Sequence, residues 1–194
     1  VLAMCRDLFN YLLETGGPDL QAKAATTLAF AGPEGIGFLT QTLSSPNQHA
    51  RQWAAYGLGL SGPAGVSAVP ALIPLALGDP RPATREAALR ALVKVDGLSP
   101  EVAELLLDAA ESREEALALP ALEGIANRPR AIRENLARLE ALLEHPSPLR
   151  RAAAARAIGQ GGRHAATAIP KLKSLALGTN ALATQAALGA LRLI

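Results

Sequence analysis

The sequence has few aromatic residues and a single cysteine. These shortages limit base stacking by aromatic rings and exclude an internal disulfide bond. Its 194 residues include one Trp, two Tyr and three Phe. The single cysteine, Cys5, excludes an internal disulfide bond and favours a reducing compartment such as the cytoplasm. Because Cys5 has no neighbouring histidine, we expect a buried structural thiol rather than a nucleophile. His49, His145 and His164 are far apart and show no metal-site spacing, so no metal or cofactor is expected.

Neither charge sign dominates the whole chain. Nineteen Lys and Arg face seventeen Asp and Glu, for a net charge of +2. We expect no membrane span, on the premise that no run approaches 18 uncharged apolar residues. No basic segment followed by an apolar stretch marks a signal peptide near Val1.

What the sequence does contain is an internal repeat of about 33 residues. One column of the repeat is alanine: Ala24, Ala54, Ala88, Ala121, Ala154 and Ala187. Four residues later comes a large aliphatic residue: Leu28, Leu58, Leu92, Ile125, Ile158 and Leu191. A third column contains Leu39, Ile73, Leu106, Leu139 and Leu172. A fixed period of this length predicts an all-α solenoid, a superhelix of about six helical hairpins with incomplete first and last copies.

Each repeat divides into two amphipathic helices with a glycine-containing turn between them. First helices are predicted at 50–60, 84–95 and 149–158, and second helices at 35–43, 69–77, 101–110, 131–143 and 168–177. Turns are expected at Gly32, Gly62, Gly97 and Gly161-Gly162, and Pro120 is expected to interrupt one first helix. The predicted copies are a single array of 1–18 (partial), 19–47, 48–81, 82–113, 114–147, 148–180 and 181–194 (partial). Neither end has a polar cap, which favours an excerpt of a longer solenoid; the alternative is a complete protein whose end helices pack on a partner.

Two segments resemble HEAT repeats, most closely the short HEAT-like form of phycocyanobilin lyases. The first segment is 50–59 with 68–77, ARQWAAYGLG and AVPALIPLAL, and the second is 150–159 with 168–172. Tetratricopeptide and ankyrin patterns are not sustained. The resemblance implies an interaction surface on a concave side formed by the second helices, without specifying a ligand.

Charge changes sign along the second half of the chain. Residues 98–127 contain one basic and seven acidic residues, a net −6, whereas 128–194 contain eleven basic and three acidic, a net +8. On the second helices, the candidate partner-binding residues are Glu104, Asp108, Arg133, Arg138, Lys171 and Lys173. A surface that changes sign suits a protein or peptide partner of complementary pattern. Trp53 and Tyr56, three residues apart on one helix face, are a further candidate contact, with core packing as the alternative.

We therefore predict a non-enzymatic scaffold that binds a protein partner along its concave face. The alternative is non-specific binding of nucleic-acid phosphates by 128–194. Base stacking is not expected there, because all the aromatic residues precede residue 57. A third hypothesis, a HEAT-like lyase or DNA glycosylase, would need a catalytic cluster that the sequence does not show.

One column of arginines begins successive first helices: Arg51, Arg85 and Arg151. A cation at a helix N-terminus opposes the helix dipole, so a local partner is expected. Asp79, just before Arg85, suggests an ion pair between turn and helix that repeats as a ladder, with a ligand-binding arginine row as the alternative.

Overall fold

The computed structural model describes residues 6–95 and 99–194. Cys5 and the predicted turn glycine Gly97 therefore lie outside the described residues. The chain forms two compact units, Val1–Gly97 and Leu98–Ile194. Within the described ranges the regular elements are all helices, as predicted.

The first unit contains six α-helices and one 3₁₀ segment among its described residues. They are α1 (Arg6–Thr15), α2 (Pro18–Ala29), α3 (Pro33–Thr42), α4 (Gln48–Ser61), a 3₁₀ segment (Gly62–Ala68), α5 (Val69–Gly78) and α6 (Pro82–Val95). The first helices of successive repeats, α2, α4 and α6, pack directly on one another, while α3 packs on α4 and α5 on α6. Each second helix thus covers the first helix that follows it.

The second unit repeats this arrangement. Its elements are α7 (Pro100–Glu111), α8 (Glu115–Ala126), α9 (Pro129–Glu134), α10 (Leu136–Leu142), α11 (Pro148–Gln160), a 3₁₀ segment (Gly162–Ala168), α12 (Ile169–Ala176) and α13 (Ala181–Leu193). The first helices α8, α11 and α13 stack, and the second helices α7, α10 and α12 pack against α8, α11 and α13 respectively.

The repeat columns form the core of each unit. All six members of the alanine column are at most 3% exposed, and the aliphatic column is fully buried from Leu28 to Ile158. The third column needs one correction: Leu72, which is fully buried, occupies it in place of the predicted Ile73, which is half-buried. Leu72 lies 100 residues before Leu172 in the same Pro-x-Leu context, whereas Ile73 is one residue too late.

Glycines form turns after the first helices, and they allow neighbouring first helices to pack closely. Gly32, Gly62 and Gly162 have positive φ angles of 76°, 56° and 53°, which confirms three of the predicted turns. Gly159 on α11 faces α13 so closely that a Cβ there would lie 2.8 Å from the Cα of Ala190. The first helices therefore stack with nearly touching backbones.

Two predicted helix boundaries were wrong. Pro120 does not interrupt α8; it is a buried residue inside a continuous helix. A proline in a helix removes the hydrogen bond to the residue four positions before, here Ala116, and its ring crowds that carbonyl. Ala116 is exposed, so solvent can reach this part of the helix. The second helix predicted at 131–143 is instead divided into α9 and α10, because Asn135 leaves the helical region (φ −123°, ψ 25°).

The premise that no run approaches 18 uncharged apolar residues was also wrong. The residues between Arg51 and Asp79 carry no charge, and Gln48–Gly78 is long and apolar enough to cross a membrane by length and composition alone. In the structure this stretch is α4, a 3₁₀ segment and α5, with Gly62 at positive φ between them. Both α4 and α5 pack on α6, as expected of core helices in a repeat.

Candidate partner-binding face

The exposed side of α7, α10 and α12 is termed here the second-helix face. Its acidic part is α7, where Glu101, Glu104, Asp108 and Glu111 follow at three- and four-residue spacing and so share one side of the helix. The opposite side of α7 is apolar and buried. The side chains of Glu104, Asp108 and Glu111 are 60%, 67% and 43% exposed.

A single arginine, Arg138, forms ion pairs with three of these carboxylates. Arg138 on α10 lies 3.0 Å from Glu104, 2.8 Å from Asp108 and 2.7 Å from Glu111, measured from guanidinium nitrogen to carboxylate oxygen. The hydrogen bond to Glu111, followed by that to Asp108, raises the pKa of Arg138 above its already high ordinary value, against the opposing effect of its partial burial. Three carboxylates around one guanidinium leave a surplus of negative charge. We call this cluster the acidic clamp.

A weaker link of the same kind joins α12 to α10. The Nζ of Lys171 lies 3.8 Å from an oxygen of Glu140 and 3.8 Å from one of Glu144. Glu104, Arg138 and Lys171 follow one another at 34 and 33 residues, so they occupy one column of the repeat. The opposite charges of Glu104 and Arg138, one repeat apart, were the sequence signal that could have predicted the clamp. Sequence reasoning missed Glu111 of the clamp, and it missed Glu140 and Glu144, which pair with Lys171.

The other predicted residues of this face remain separate from the clamp. Arg133 is exposed on α9, on the far side of the break at Asn135. Lys173 is exposed on α12, next to the buried Leu172. Among the residues described, neither cation has a carboxylate partner within an ion-pair distance. The positive charges of Arg133 and Lys173 are therefore less neutralised than the charge of Arg138.

Trp53 and Tyr56 lie on α4, in the other unit. Their rings meet edge to face, with centroids 5.3 Å apart and an interplanar angle of 83°. Trp53 is half-buried and Tyr56 is 42% exposed. They border a groove of about 490 Å³ between α4 and α6 that also contacts Arg90 and Lys94. This groove belongs to first helices and is not part of the second-helix face.

The basic residues of 128–194 do not form one free cationic surface. Arg128 and Arg150 are 4% and 3% exposed. The guanidinium of Arg128 donates to the Gly124 carbonyl at 2.7 Å, and that of Arg150 donates to the Ser112 carbonyl. Arg130 pairs with Glu134 at 2.8 Å. The positive charge counted in the sequence is thus partly buried and partly paired.

The arginine column has the structural role that the sequence favoured. Arg51, Arg85 and Arg151 each donate Nη1 to a main-chain carbonyl six residues upstream. Asp79 forms an ion pair between turn and helix, but with Arg51 of the preceding first helix, whose Nε lies 2.7 Å from the Asp79 Oδ2. The predicted ladder of such pairs does not extend to Arg151, which has no carboxylate partner among the described residues. Burial alone would raise the pKa of Asp79, but the hydrogen bonds from Arg51 and from the Arg81 N–H lower it below its ordinary value.

A turn between α10 and α11 holds a partly buried histidine. The Nδ1 of His145 accepts a hydrogen bond from the Ser147 N–H at 3.0 Å. Burial, then the positive charges of Arg150 and Arg151, lower the pKa of His145, while Glu115 opposes this shift. His145 is therefore kept neutral by its surroundings. In the described part of the chain, no three His, Cys, Asp or Glu side chains are grouped so that they could hold a metal ion.

Known proteins resemble this chain in repeat type and in fold. Residues 36–126 match the family described as HEAT repeats. No curated protein matches the sequence. Among solved structures, the YibA protein of Escherichia coli superposes with a TM-score of 0.73 at 17% identity, over 97% of this chain and 72% of that one.

Two further structures are similar over nearly the whole chain. A designed armadillo repeat protein in complex with the peptide (KR)4 has a TM-score of 0.68 at 17% identity, over 97% of this chain and 98% of that one. The complex of CpcE and CpcF of phycocyanin lyase from Nostoc sp. PCC7120 has a TM-score of 0.61 at 23% identity, over 96% of this chain and 75% of that one. At these identities the likeness is one of fold, and that fold is the α-solenoid.

Proposed function

We propose that this chain, in which residues 36–126 match HEAT repeats and whose fold is an α-solenoid, is a non-enzymatic scaffold that binds a segment of a partner protein along the second-helix face. The observation that carries the proposal is the change of charge along that face. It begins with the carboxylates of α7 and ends with the ammonium groups of α12. Fixed charges in this order select the direction and register of a bound segment more than they add affinity.

The acidic clamp indicates what one part of the partner contains. Glu104, Asp108 and Glu111 carry three negative charges against the one positive charge of Arg138, and Glu101 adds a fourth carboxylate on the same side. A guanidinium or ammonium group of a partner would complete the neutralisation. We therefore propose a Lys- and Arg-rich stretch opposite α7.

The basic end indicates the opposite composition for the rest of the segment. Lys171 is only loosely held by Glu140 and Glu144, at 3.8 Å each, and Lys173 is exposed beside it on α12. Acidic residues of the partner fit this end. The proposal assigns binding to the chain and no catalytic step.

A solved relative in fold supports the first half of this assignment. The designed armadillo protein described above is a complex with a peptide of alternating Lys and Arg. That protein shares 17% identity with this chain, so it supports a mode of binding available to the fold.

The experiment is a titration of a fluorescent eight-residue peptide of alternating Lys and Arg, followed by anisotropy at low salt. Glu104→Gln combined with Asp108→Asn should weaken binding by about 2- to 30-fold, since each exposed ion pair contributes roughly 0.2–1 kcal/mol. Arg138→Gln should strengthen binding, because it frees the carboxylates of the clamp. Circular dichroism of each variant should show an unchanged helix content, since the clamp is a surface ion-pair cluster.

The matched control is Glu123→Gln on α8. Glu123 is also exposed but lies on a first helix of the same unit. If the double variant binds the peptide as tightly as the wild type, or if Glu123→Gln weakens binding as much, the second-helix face is not the binding surface.

A further inference from the structure

The two copies that most resemble HEAT repeats, 48–81 and 148–180, differ at one buried ion pair. Arg51 and Arg151 are 100 residues apart, and each begins a first helix. Each donates its Nη1 to the two main-chain carbonyls five and six residues upstream, at 2.8 to 3.1 Å. The two guanidinium groups therefore sit in the same local frame.

The carboxylate that completes this frame is present in only one copy. The Nε of Arg51 donates to the Oδ2 of Asp79 at 2.7 Å, and Asp79 is 6% exposed. One hundred residues after Asp79 stands Thr179, which is neutral and shorter. Within the described residues no carboxylate pairs with Arg151. The shared Pro-x-Leu at Pro70 and Pro170 sets the 100-residue register at the start of α5 and α12. Gly78 and Gly178 continue it up to Asp79 and Thr179, and the next helices, at Pro82 and Ala181, begin 99 residues apart.

An open cleft lies where the carboxylate is lacking. It has a volume of about 520 Å³ and lies between the ends of α10 and α12 and the start of α13. Its polar lining comprises Arg151, Lys171, Ser174, Thr179, Asn180 and Glu144. We call it the Arg151 cleft.

Two side chains of the lining have no counterpart in the first copy, and one of them is a cation. Lys171 and Ser174 replace Ala71 and Pro74 at the equivalent positions, which adds one ammonium and one hydroxyl group. The carboxylate of Glu144 lies 3.8 Å from Lys171, so it offsets one of the two cations. Glu140, outside the lining, lies at the same distance from Lys171. Arg151 is thus the cation of the lining that has no carboxylate partner among the described residues.

We propose that the Arg151 cleft binds an oxyanion, namely the carboxylate of an acidic side chain of a partner, in the place that Asp79 fills in the first copy. A carboxylate accepts two hydrogen bonds side by side from a guanidinium, and such charge-assisted bonds are about twice as strong as neutral ones. The hydroxyls of Ser174 and Thr179 supply further donors. The cleft shares Lys171 with the basic end of the second-helix face, so this proposal deepens the proposed function at that end. It does not use the acidic clamp, and the clamp variants and the Thr179 variants therefore test the two proposals separately.

The test is a nuclear magnetic resonance titration of ¹⁵N-labelled full-length protein, observing the Arg151 side-chain Nε–H. The probe is a capped triglutamate peptide, with inorganic phosphate titrated in parallel. The peptide should shift the Arg151 signal in a saturable manner. Thr179→Asp should weaken this binding by about tenfold or more, because the new carboxylate occupies the guanidinium. It should also raise the melting temperature.

Thr179→Asn is the matched control, since it has the shape of aspartate without the charge, and it should bind the peptide as the wild type does. The proposal is overturned if the peptide does not shift Arg151, or if Thr179→Asp binds as well as Thr179→Asn. Binding of phosphate without binding of the peptide would refute the carboxylate assignment.

Discussion

The closest backbone approach in the second unit gives a quantitative prediction about stability. Gly159 on α11 faces Ala190 on α13, and a Cβ at Gly159 would lie 2.8 Å from the Cα and 3.0 Å from the Cβ of Ala190. Gly189, the neighbour of Ala190 in α13, has open space where its Cβ would be. Gly159→Ala and Gly189→Ala therefore make the same chemical change in two different surroundings.

The magnitude follows from two terms. Replacing a helical glycine by alanine gains about 0.8–1 kcal/mol of helix propensity at either position. Overpacking costs about 1–3 kcal/mol, and only at Gly159, because the backbones of α11 and α13 must separate. Gly189→Ala should thus raise the free energy of unfolding by about 1 kcal/mol. Gly159→Ala should lie about 1–3 kcal/mol below Gly189→Ala, since the propensity term cancels in the difference.

The assay is urea unfolding of both variants and the wild type, followed by circular dichroism at 222 nm. The comparison should use the transition in which the second unit unfolds, and the slope of that transition should be the same for all three proteins. If Gly159→Ala is as stable as Gly189→Ala, the first helices do not stack at the distance described here.

Two further predictions concern buried polar groups. Asp79→Asn leaves Arg51 without a carboxylate and should lower the free energy of unfolding by about 3 kcal/mol, as expected for a broken buried pair; urea unfolding at pH 7 measures it. Because the pKa of Asp79 is held below its ordinary value of 3.8, the wild type has this stability above pH 3.8 and loses it as the pH falls through the lowered pKa. Asp79→Asn should not show this loss. If the free energy of unfolding falls equally in both proteins as the pH is lowered, the ion pair is refuted. The pKa of His145 is lowered from 6.5, so neutral His145 stabilises the fold above pH 6.5, and this stability is lost as the pH falls through the lowered pKa. His145→Asn keeps an acceptor for the Ser147 N–H and should flatten the dependence of the melting temperature on pH between 7 and 5, as indicated by the titration range of histidine; a variant as pH-sensitive as the wild type would contradict this.

Much of the fold could be predicted from periodicity because each column of a repeat protein reports burial several times. The alanine column illustrates this, since Ala24 and Ala187 are both buried although they lie at opposite ends of the chain. Errors arose where two neighbouring residues suit the same column. Leu72 and Ile73 are both aliphatic, and a one-residue variation in the period lets either one fit.

The 3₁₀ segments after α4 and α11 had no sequence signal that periodicity could detect. They are seven residues each, too short for an amphipathic pattern, and their sequences share only their first and last residues, Gly and Ala. The division at Asn135 had the same cause. An apolar period continues through it from Ile132 to Leu139, although the backbone leaves the helical region.

The charged residues of the candidate face could be listed from the sequence, but their pairing could not. Arg138 is 27 to 34 residues from the three carboxylates that it contacts, and only the position of its helix beside α7 brings them together. Sequence reasoning treated Arg138 and Lys171 as free charges for a partner. Their contacts pair both cations with carboxylates, which leaves a negative surplus at the clamp and leaves Arg133 and Lys173 as the predicted cations without a carboxylate partner in the described part of the chain.

The measurement that tests the central claim most directly is affinity capture from a lysate of the source cells, with and without nuclease. Wild type, the clamp variant Glu104→Gln with Asp108→Asn, and Glu123→Gln would be the three baits. The account predicts a defined protein partner that survives nuclease, is captured by wild type and Glu123→Gln, and is lost with the clamp variant. Capture that disappears with nuclease, or that is equal for all three baits, would contradict it.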